Sequence, residues 1–303
     1  MIKESITNIK KTLARYSVLQ QTPTLTELHH LLELPIDLLS LKNTLQPLIN
    51  NQEIVCEKGC WQPTSQPQLQ HKLLHKHHQQ IRASLEKNFL AQQASKIIIH
   101  FPWIKAIGIY GSLARLQSNN ESDIDFFIIT SNKRLWSARF FINFVFKILN
   151  LRPDNQHKKN RFCFSYWADE NNLDLSTANF KNDYYYYYYG PSSFRFLTGQ
   201  PTVIKKFFDS NQKWLNEIMP NWEPRDLAIS YQKSKLQILS EKIFGLIPES
   251  LYQKYQLKIL PQIYYQANNG KSVIINDHLI KLHHRERRDD YNQKMSEASA
   301  KIQ

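Results

Sequence analysis

The sequence predicts an α+β fold in which a strand-forming core lies between helical regions. Two apolar runs, "WIKAIGIY" (103–110) and "FFIIT" (126–130), have the length and composition of buried strands. The chain before them repeats apolar side chains at helical spacing, and the chain after about residue 191 is mainly helical in pattern. This separation of strands and helices along the chain is the basis of the α+β assignment.

The composition is that of a globular protein with an excess of positive charge. Of 303 residues, 42% are hydrophobic and 21% are charged, and the chain is long enough for two or three domains. Lys and Arg number 39 against 26 Asp and Glu, which leaves a formal net charge of +13. This excess favours a polyanionic partner such as nucleic acid, nucleotide phosphates or another acidic surface.

Cysteine content and hydropathy indicate a cytoplasmic protein with no membrane partner. Three cysteines are too few for a disulfide framework, and Cys56 and Cys60 lack a second Cys or His pair that would complete a zinc site. The N-terminal helix lacks the apolar core of a signal peptide. The longest apolar run, from Phe140, is interrupted by Asn143 and Lys147 and is too short to span a bilayer.

Residues 1–63 predict three helices followed by a hairpin, which is the arrangement of a winged helix. The first helix carries apolar residues at helical spacing: Ile2, Ile6, Ile9 and Leu13. Thr24 and Glu27 have the spacing of a capping box that opens a second helix, and Asp37 starts a third. Lys58-Gly59 is the expected hairpin turn.

Winged helices often bind DNA through the third helix. Here that helix carries one cation, Lys42, together with Asp37 and many leucines, whereas a groove-reading helix presents Arg, Lys, Asn or Gln to bases. We therefore expect this module to pack within the protein or to contact a protein partner, and DNA binding remains the alternative.

The sequence of residues 64–96 predicts a connecting helix. His71 and His75 share one face of it, which would suit a metal, but no acidic ligand lies nearby in sequence and a solvated helix is favoured. The run Tyr184–Tyr189 is of low complexity and is interpreted as a poorly constrained connection, with stacking on nucleobases as the alternative. Residues 191–303 predict a mainly helical C-terminal domain.

The C-terminal domain ends in a basic segment. Its arginines are Arg285, Arg287 and Arg288, and they alternate with acids. A solvated helix is favoured there, and a phosphate-facing patch is the alternative.

Two carboxylates at alternate positions begin the second predicted strand. Asp123 and Asp125 point the same way, because residues i and i+2 of a strand share a face. Two carboxylates about 4 Å apart repel by roughly 4 kcal/mol at an effective dielectric constant of 20. A divalent cation with oxygen ligands would offset this repulsion, and a cluster of Lys or Arg is the alternative.

Gly111 and Ser112 follow the first predicted strand. A glycine lets the backbone turn and approach a ligand closely, and a helix beginning at "SLARL" would present free N–H groups to an anion. Phosphate at this turn and metal at the carboxylates together describe a nucleoside triphosphate with Mg²⁺. Walker, Rossmann, nucleophile-elbow and zinc-protease motifs are absent from the sequence.

These residues resemble the polymerase-beta-type nucleotidyltransferases. The shared signature is an apolar residue, Gly-Ser, about ten further residues and Asp-x-Asp, here Tyr110, Gly111-Ser112 and Asp123-Ile124-Asp125. The segments "RLWSARFF", "RFCFSYWADENNLDL" and "FFDSNQKWLNEIMPNW" are similar to those of a bacterial group that also has an N-terminal winged helix. The resemblance covers most of residues 1–225.

The resemblance implies a nucleotidyltransferase core at residues 97–180, built on a small mixed sheet flanked by helices. Gly111 and Ser112 would contact the triphosphate, and Asp123 and Asp125 would hold one or two Mg²⁺ or Mn²⁺ ions. A nucleoside monophosphate would pass from a nucleoside triphosphate to an acceptor hydroxyl, with release of pyrophosphate.

Active members of this family usually have a third carboxylate on a later strand, where it helps to activate the acceptor. The corresponding stretch here, residues 161–167, contains none, and Ser165 is a candidate for its place. Asp169 and Asp174 lie just beyond the strand, and Asp174 is the predicted third catalytic residue.

Arg115 and Arg139 are candidate phosphate ligands, with surface salt bridges as the alternative for both.

Three functions stay open for the whole chain. The first is an active nucleotidyltransferase, and the second is a catalytically degenerate regulator that binds nucleotide or nucleic acid. The third is a scaffold in which the two aspartates pair with Lys or Arg.

Overall fold

A mixed sheet with helices on both faces forms the centre of the protein, which confirms the α+β assignment. The computed structural model describes residues 2–64, 67–154, 156–224, 229–283 and 288–302, and for residues 2 and 67–71 it describes the backbone alone. Within these ranges the sheet has seven strands, and a separate two-stranded hairpin lies in the N-terminal segment.

The N-terminal segment contains the expected three helices and hairpin. They are α1 (Ile2–Val18), α2 (Leu25–His30), α3 (Leu38–Asn50), β1 (Ile54–Glu57) and β2 (Cys60–Pro63). Thr24 Oγ1 accepts a hydrogen bond from the Glu27 N–H, and the Glu27 carboxylate accepts one from the Thr24 N–H, so the capping box is present. Asp37 caps α3. Left-handed backbone at Lys58 and Gly59 closes the hairpin at the predicted turn.

The strand order in the large sheet places the two predicted strands at its centre. Across the sheet the strands are β7 (Ile229–Ser230), β6 (Arg195–Gly199), β3 (Ile104–Ile109), β4 (Ile124–Thr130), β5 (Phe162–Asp169), β9 (Leu279–Leu282) and β8 (Val273–Ile275). Strand β4 pairs antiparallel with β3 and parallel with β5. Phe126 and Ile128 enter the core on one face, while Phe127 and Ile129 enter the core on the other. Burial on both faces explains the uninterrupted apolar run of β4.

Strands from beyond residue 191 complete this sheet, although that region was expected to be mainly helical. β6 pairs with β3, and β9 pairs with β5. They are five and four residues long, which is too short for a clear two-residue period in the sequence. Pairing with the long central strands stabilises them, so the sheet extends past the expected core limit at residue 180.

Helices cover the sheet and account for much of the chain. They are α4 (Pro67–Ile98), α6 (Leu135–Ile148), α8 (Pro201–Ile218), α9 (Lys235–Phe244), α10 (Glu249–Ile259), α11 (Gln262–Gln266) and α12 (Arg288–Ala300). On α4, His75 is exposed and His77 is buried, while the His71 side chain lies outside the described residues. Within the described ranges no helix combines the length and hydropathy needed to cross a bilayer.

The tyrosine run is a buried helix, α7 (Tyr184–Tyr189), and its interpretation as a poorly constrained connection was wrong. Asp183 caps the helix, and the Tyr186 ring stacks on Trp214 at a centroid distance of 6.4 Å. A helix points its side chains in all directions, and α7 is surrounded by packing partners, so six tyrosines can be ordered together.

Arg288 of α12 is buried. For this residue, both the predicted solvated helix and the alternative of a phosphate-facing patch were wrong. Its guanidinium pairs with the Asp183 carboxylate that caps α7. Arg285 and Arg287 lie outside the described residues.

Candidate active site

A cleft of about 720 Å³ opens where β3 ends and β4 begins. Gly111, Ser112, Asp123 and Asp125 all line it, so the structure brings together the four residues of the predicted motif. The cleft lies over the start of the parallel pair β4–β5. This position follows from the antiparallel pairing of β3 and β4, because the end of β3 and the start of β4 lie at the same end of the sheet.

The two aspartates are held by the first residues of β4. Ile124 and Phe126 are fully buried, which anchors the strand and turns the alternating Asp123 and Asp125 toward the cleft. Both aspartates are partly exposed in the cleft. The apolar residues of the strand therefore determine the direction of its carboxylates.

A cysteine lies beside the aspartates on the neighbouring strand. Cys163 of β5 is in register with Asp125 of β4, and paired residues of parallel strands share a face. The donor atoms of Asp123, Asp125 and Cys163 all lie within 4.8 Å of one another. In the described part of the chain, this is the one group of three His, Cys, Asp or Glu side chains close enough to hold a metal ion.

Burial and mutual repulsion perturb all three groups. Burial, followed by the Asp123 carboxylate, raises the pKa of Asp125 to about 7. Burial also raises the pKa of Asp123, while the Lys158 and Lys87 ammonium groups oppose that increase. Burial and the two carboxylates raise the pKa of the Cys163 thiol well above its ordinary value. A bound divalent cation would favour the ionised form of each group.

The turn after β3 depends on the freedom of glycine. Gly111 has φ +66°, and a Cβ at this position would meet no atom within 4 Å. The helix that follows, α5 (Gly111–Ala114), is a single turn and is shorter than the predicted "SLARL" helix. The Gly111 N–H donates to Ser193 Oγ at 2.9 Å, which holds the turn against the segment after α7.

Polar side chains of β5 and of the residues that directly follow β3 and β9 meet on one wall of the cleft. Tyr110 Oη lies 2.6 Å from His283 Nε2 and 3.2 Å from Ser165 Oγ, and Ser165 Oγ lies 3.1 Å from His283 Nε2. Burial, followed by the Asp125 carboxylate, raises the pKa of the Tyr110 phenol. The cleft also contains two cations, Arg152 and Lys158.

Tyrosines form another wall of the cleft. Tyr185, Tyr189, Tyr264 and Tyr291 line it, and all four are partly exposed. The Tyr185 and Tyr291 rings stack with an interplanar angle of 18° and a centroid distance of 5.3 Å. This wall joins residues from α7, α11 and α12.

Two arginines proposed as phosphate ligands are engaged elsewhere. Arg115 is buried, donates to the Tyr188 carbonyl and to Ser192 Oγ, and lies over the Tyr188 ring. Arg139 is also buried and donates to Gln256 Oε1 at 2.6 Å. Both side chains connect packed elements, and neither lines the cleft.

The candidates for a third carboxylate also lie away from the cleft. Asp174 is exposed and accepts a hydrogen bond from the Ser176 N–H at 2.9 Å. Asp169 is buried at the far end of β5 and lies 2.7 Å from His278 Nδ1. The cleft-lining side chains of β5 include Cys163 and Ser165 in place of an acid.

Sequence reasoning missed several lining residues. Cys163 lies in the strand that was expected to carry the third carboxylate. Its position two residues before Ser165 puts both side chains on one face of that strand, and this spacing was the signal for Cys163. His283 and Tyr291 gave no local signal, because β9 and α12 reach the cleft only through tertiary structure.

One of three comparisons with known proteins gives a match, and the match covers part of this cleft. Residues 92–159 match the family model described as "Polymerase beta, Nucleotidyltransferase". The matched stretch includes the Gly111-Ser112 turn and both aspartates and ends before Cys163. No curated protein and no solved structure matches the chain. Residues 92–159 are therefore similar to the nucleotidyltransferase domain of the polymerase beta superfamily.

Proposed function

We propose that the protein is a nucleotidyltransferase that depends on Mg²⁺ or Mn²⁺. It transfers a nucleoside monophosphate from a nucleoside triphosphate to an acceptor hydroxyl and releases pyrophosphate. The observation that carries this proposal is the convergence of Asp123 and Asp125 with the Gly111-Ser112 turn in one cleft.

Asp123 and Asp125 would hold the divalent cation. Their carboxylates suit Mg²⁺, which proteins usually bind through one or two carboxylates together with substrate phosphates. When bound, the cation neutralises charge on the reacting phosphoryl oxygens. The raised pKa of Asp125 supports this assignment. Two neighbouring ionised carboxylates repel each other, and a bound cation removes this repulsion.

The turn and the two cleft cations would bind the triphosphate. Gly111 allows close approach of the backbone, and Ser112 can donate a hydroxyl proton to a phosphate oxygen. Lys158 and Arg152 add positive charge on the side of the cleft that adjoins Asp123. These two residues take the role that was expected of Arg115.

The tyrosine wall would hold the nucleobase. Stacking on an aromatic side chain contributes about 1–3 kcal/mol per base and tolerates any base. We expect Tyr185→Ala to weaken nucleotide binding by a free energy in this range, measured by calorimetry. Tyr265→Ala, at an exposed tyrosine that does not line the cleft, is the control. Equal affinity in the two variants would contradict the role of the wall.

Labelled nucleotides test the proposed reaction. The protein is incubated with each α-labelled nucleoside triphosphate, Mg²⁺ or Mn²⁺ and a cell extract, and the labelled fraction is identified. We expect Asp123→Asn and Asp125→Asn to abolish labelling without unfolding the protein. Asp174→Asn, at an exposed carboxylate outside the cleft, should leave it unchanged. Labelling by the double variant Asp123→Asn/Asp125→Asn would overturn the proposal.

A second candidate function is a degenerate nucleotidyltransferase that regulates by binding nucleotide or nucleic acid. The observation that favours it is the lack of a carboxylate among the cleft-lining residues of β5. The three-helix and hairpin segment would then act as a winged helix. Binding of duplex DNA with a steep salt dependence, and no release of pyrophosphate, would favour this function.

A further inference from the structure

Strand β5, the strand on which an active family member is expected to have a third carboxylate, places a thiol beside the two aspartates. Residues 161–167 contain no acid, and Asp169 and Asp174 lie away from the cleft. Cys163 and Ser165 line the cleft from this strand, and Cys163 is the one in register with Asp125.

The geometry suits a single ion held by three side chains. The donor atoms of Asp123, Asp125 and Cys163 lie within 4.8 Å of one another. Ligands of a tetrahedral ion with metal–ligand distances of about 2.0–2.3 Å lie roughly 3.5 Å apart. Side-chain rotations that move the donors by about 1 Å would close this difference, because the backbone of the paired strands already presents them to one point.

The donor set differs from one made of three carboxylates. Mg²⁺ takes oxygen ligands, whereas a thiolate favours softer cations such as Zn²⁺. Three protein ligands that leave a fourth position open are the arrangement of catalytic zinc sites. Burial and the two carboxylates raise the pKa of the Cys163 thiol, and the Arg152 guanidinium opposes that increase. The thiol proton leaves to solvent when the metal binds.

We propose that Cys163 is the third protein ligand of the divalent-cation site and makes that site prefer a thiophilic cation of the Zn²⁺ class over Mg²⁺. This inference rests on the proposed function, because the same two aspartates hold the metal, and it replaces Mg²⁺ or Mn²⁺ with a thiophilic cation as the preferred ion of that site. It predicts that the metal preference of the protein is a property of one side chain on β5.

Cobalt titration of the full-length protein tests the ligand directly, because a cobalt–thiolate bond adds a charge-transfer absorption in the near ultraviolet. We expect this band in the wild type and in Cys56→Ser, which removes an exposed cysteine that does not line the cleft. The band should disappear in Cys163→Ser and in Asp123→Asn. Circular dichroism establishes that each variant is folded.

Metal affinities give the second readout. In competition with a chelator, Cys163→Ser should weaken Zn²⁺ binding by about 10–100-fold, and it should change Mg²⁺ binding much less. Cys163→Asp should lack the band and bind Mg²⁺ more tightly than the wild type does. This variant provides three oxygen ligands at the same positions.

The outcomes separate this inference from the proposed function. A charge-transfer band that persists in Cys163→Ser, or Zn²⁺ binding that depends on the aspartates and is unaffected by Cys163→Ser, overturns the cysteine ligand while leaving the nucleotidyltransferase intact. A band that depends on Cys163, in a protein that labels no acceptor, supports the metal site and counts against the proposed reaction.

Discussion

Lys87 of α4 donates a hydrogen bond from Nζ to the backbone carbonyl of Ser122 at 2.7 Å, one residue before Asp123. The same ammonium donates to the Asn120 carbonyl at 3.2 Å and to Asn160 Oδ1 at 2.7 Å. The Lys87 side chain is buried. It therefore joins α4 to the two segments that lead into β4 and β5, and it positions the loop that presents the first aspartate.

Replacement of this lysine should destabilise the protein. We expect Lys87→Met to lower the free energy of unfolding by about 2–4 kcal/mol, because three acceptors lose a charged donor. Urea denaturation measures the change. Lys96→Met, at an exposed lysine of the same helix, should stay within about 0.5 kcal/mol of the wild type. Equal stability of the two variants would show that Lys87 does not hold the loop.

The raised pKa of Asp125 should make the stability of the metal-free protein depend on pH. Burial and Asp123 raise this pKa from 3.8 to about 7, so the folded state binds the proton more tightly than the unfolded chain does. The free energy of unfolding should therefore fall, by about 1–3 kcal/mol, as the pH rises from about 4 to about 7. Thermal unfolding with a chelator present measures it.

Two comparisons check the origin of this dependence. Asp125→Asn should flatten the fall in stability between pH 4 and 7, and saturating divalent cation should restore stability at neutral pH. If the free energy of unfolding of Asp125→Asn fell by the same amount between pH 4 and 7, the pH dependence would come from other groups.

The turn after β3 should tolerate only glycine without loss of nucleotide binding. Gly111→Ala and Gly59→Ala place a Cβ at φ +66° and +78°, in both cases with no atom within 4 Å. Each should cost about 1 kcal/mol of stability through backbone strain alone. Gly111→Ala alone should also weaken binding of a nucleoside triphosphate, measured by calorimetry. Equal nucleotide affinity in the two variants would show that the Gly111 turn does not contribute to nucleotide binding.

The buried pair of Asp183 and Arg288 should contribute strongly to stability. Asp183 caps α7, pairs with Arg288 and accepts from Asn292 Nδ2 at 2.8 Å. Asp183→Ala leaves a buried guanidinium without its carboxylate, and we expect a loss of about 3–5 kcal/mol.

The exposed pair of Lys294 and Asp290 on the same helix is the matched control for this change. Lys294→Ala should cost less than about 1 kcal/mol in the same urea denaturation experiment. A loss of similar size in Asp183→Ala and Lys294→Ala would contradict the role of the buried pair.

Local patterns in the sequence predicted much of the fold. The capping box of Thr24 and Glu27 and the Lys58-Gly59 turn are interactions between near neighbours, so a single stretch of sequence specifies them. The tyrosine run was misinterpreted because its order comes from partners such as Trp214 and Arg288, which are distant in the chain.

The sequence by itself determined the family motif: the apolar strands, the Gly111-Ser112 turn and the two alternating aspartates, whose direction follows from the two-residue period of a strand. Only the tertiary structure decided what surrounds them. Parallel pairing of β4 with β5 placed Cys163 beside Asp125, and strand β9 brought His283 to Tyr110. These neighbours come from pairing between strands that are far apart in the chain, and no local pattern of residues encodes that pairing.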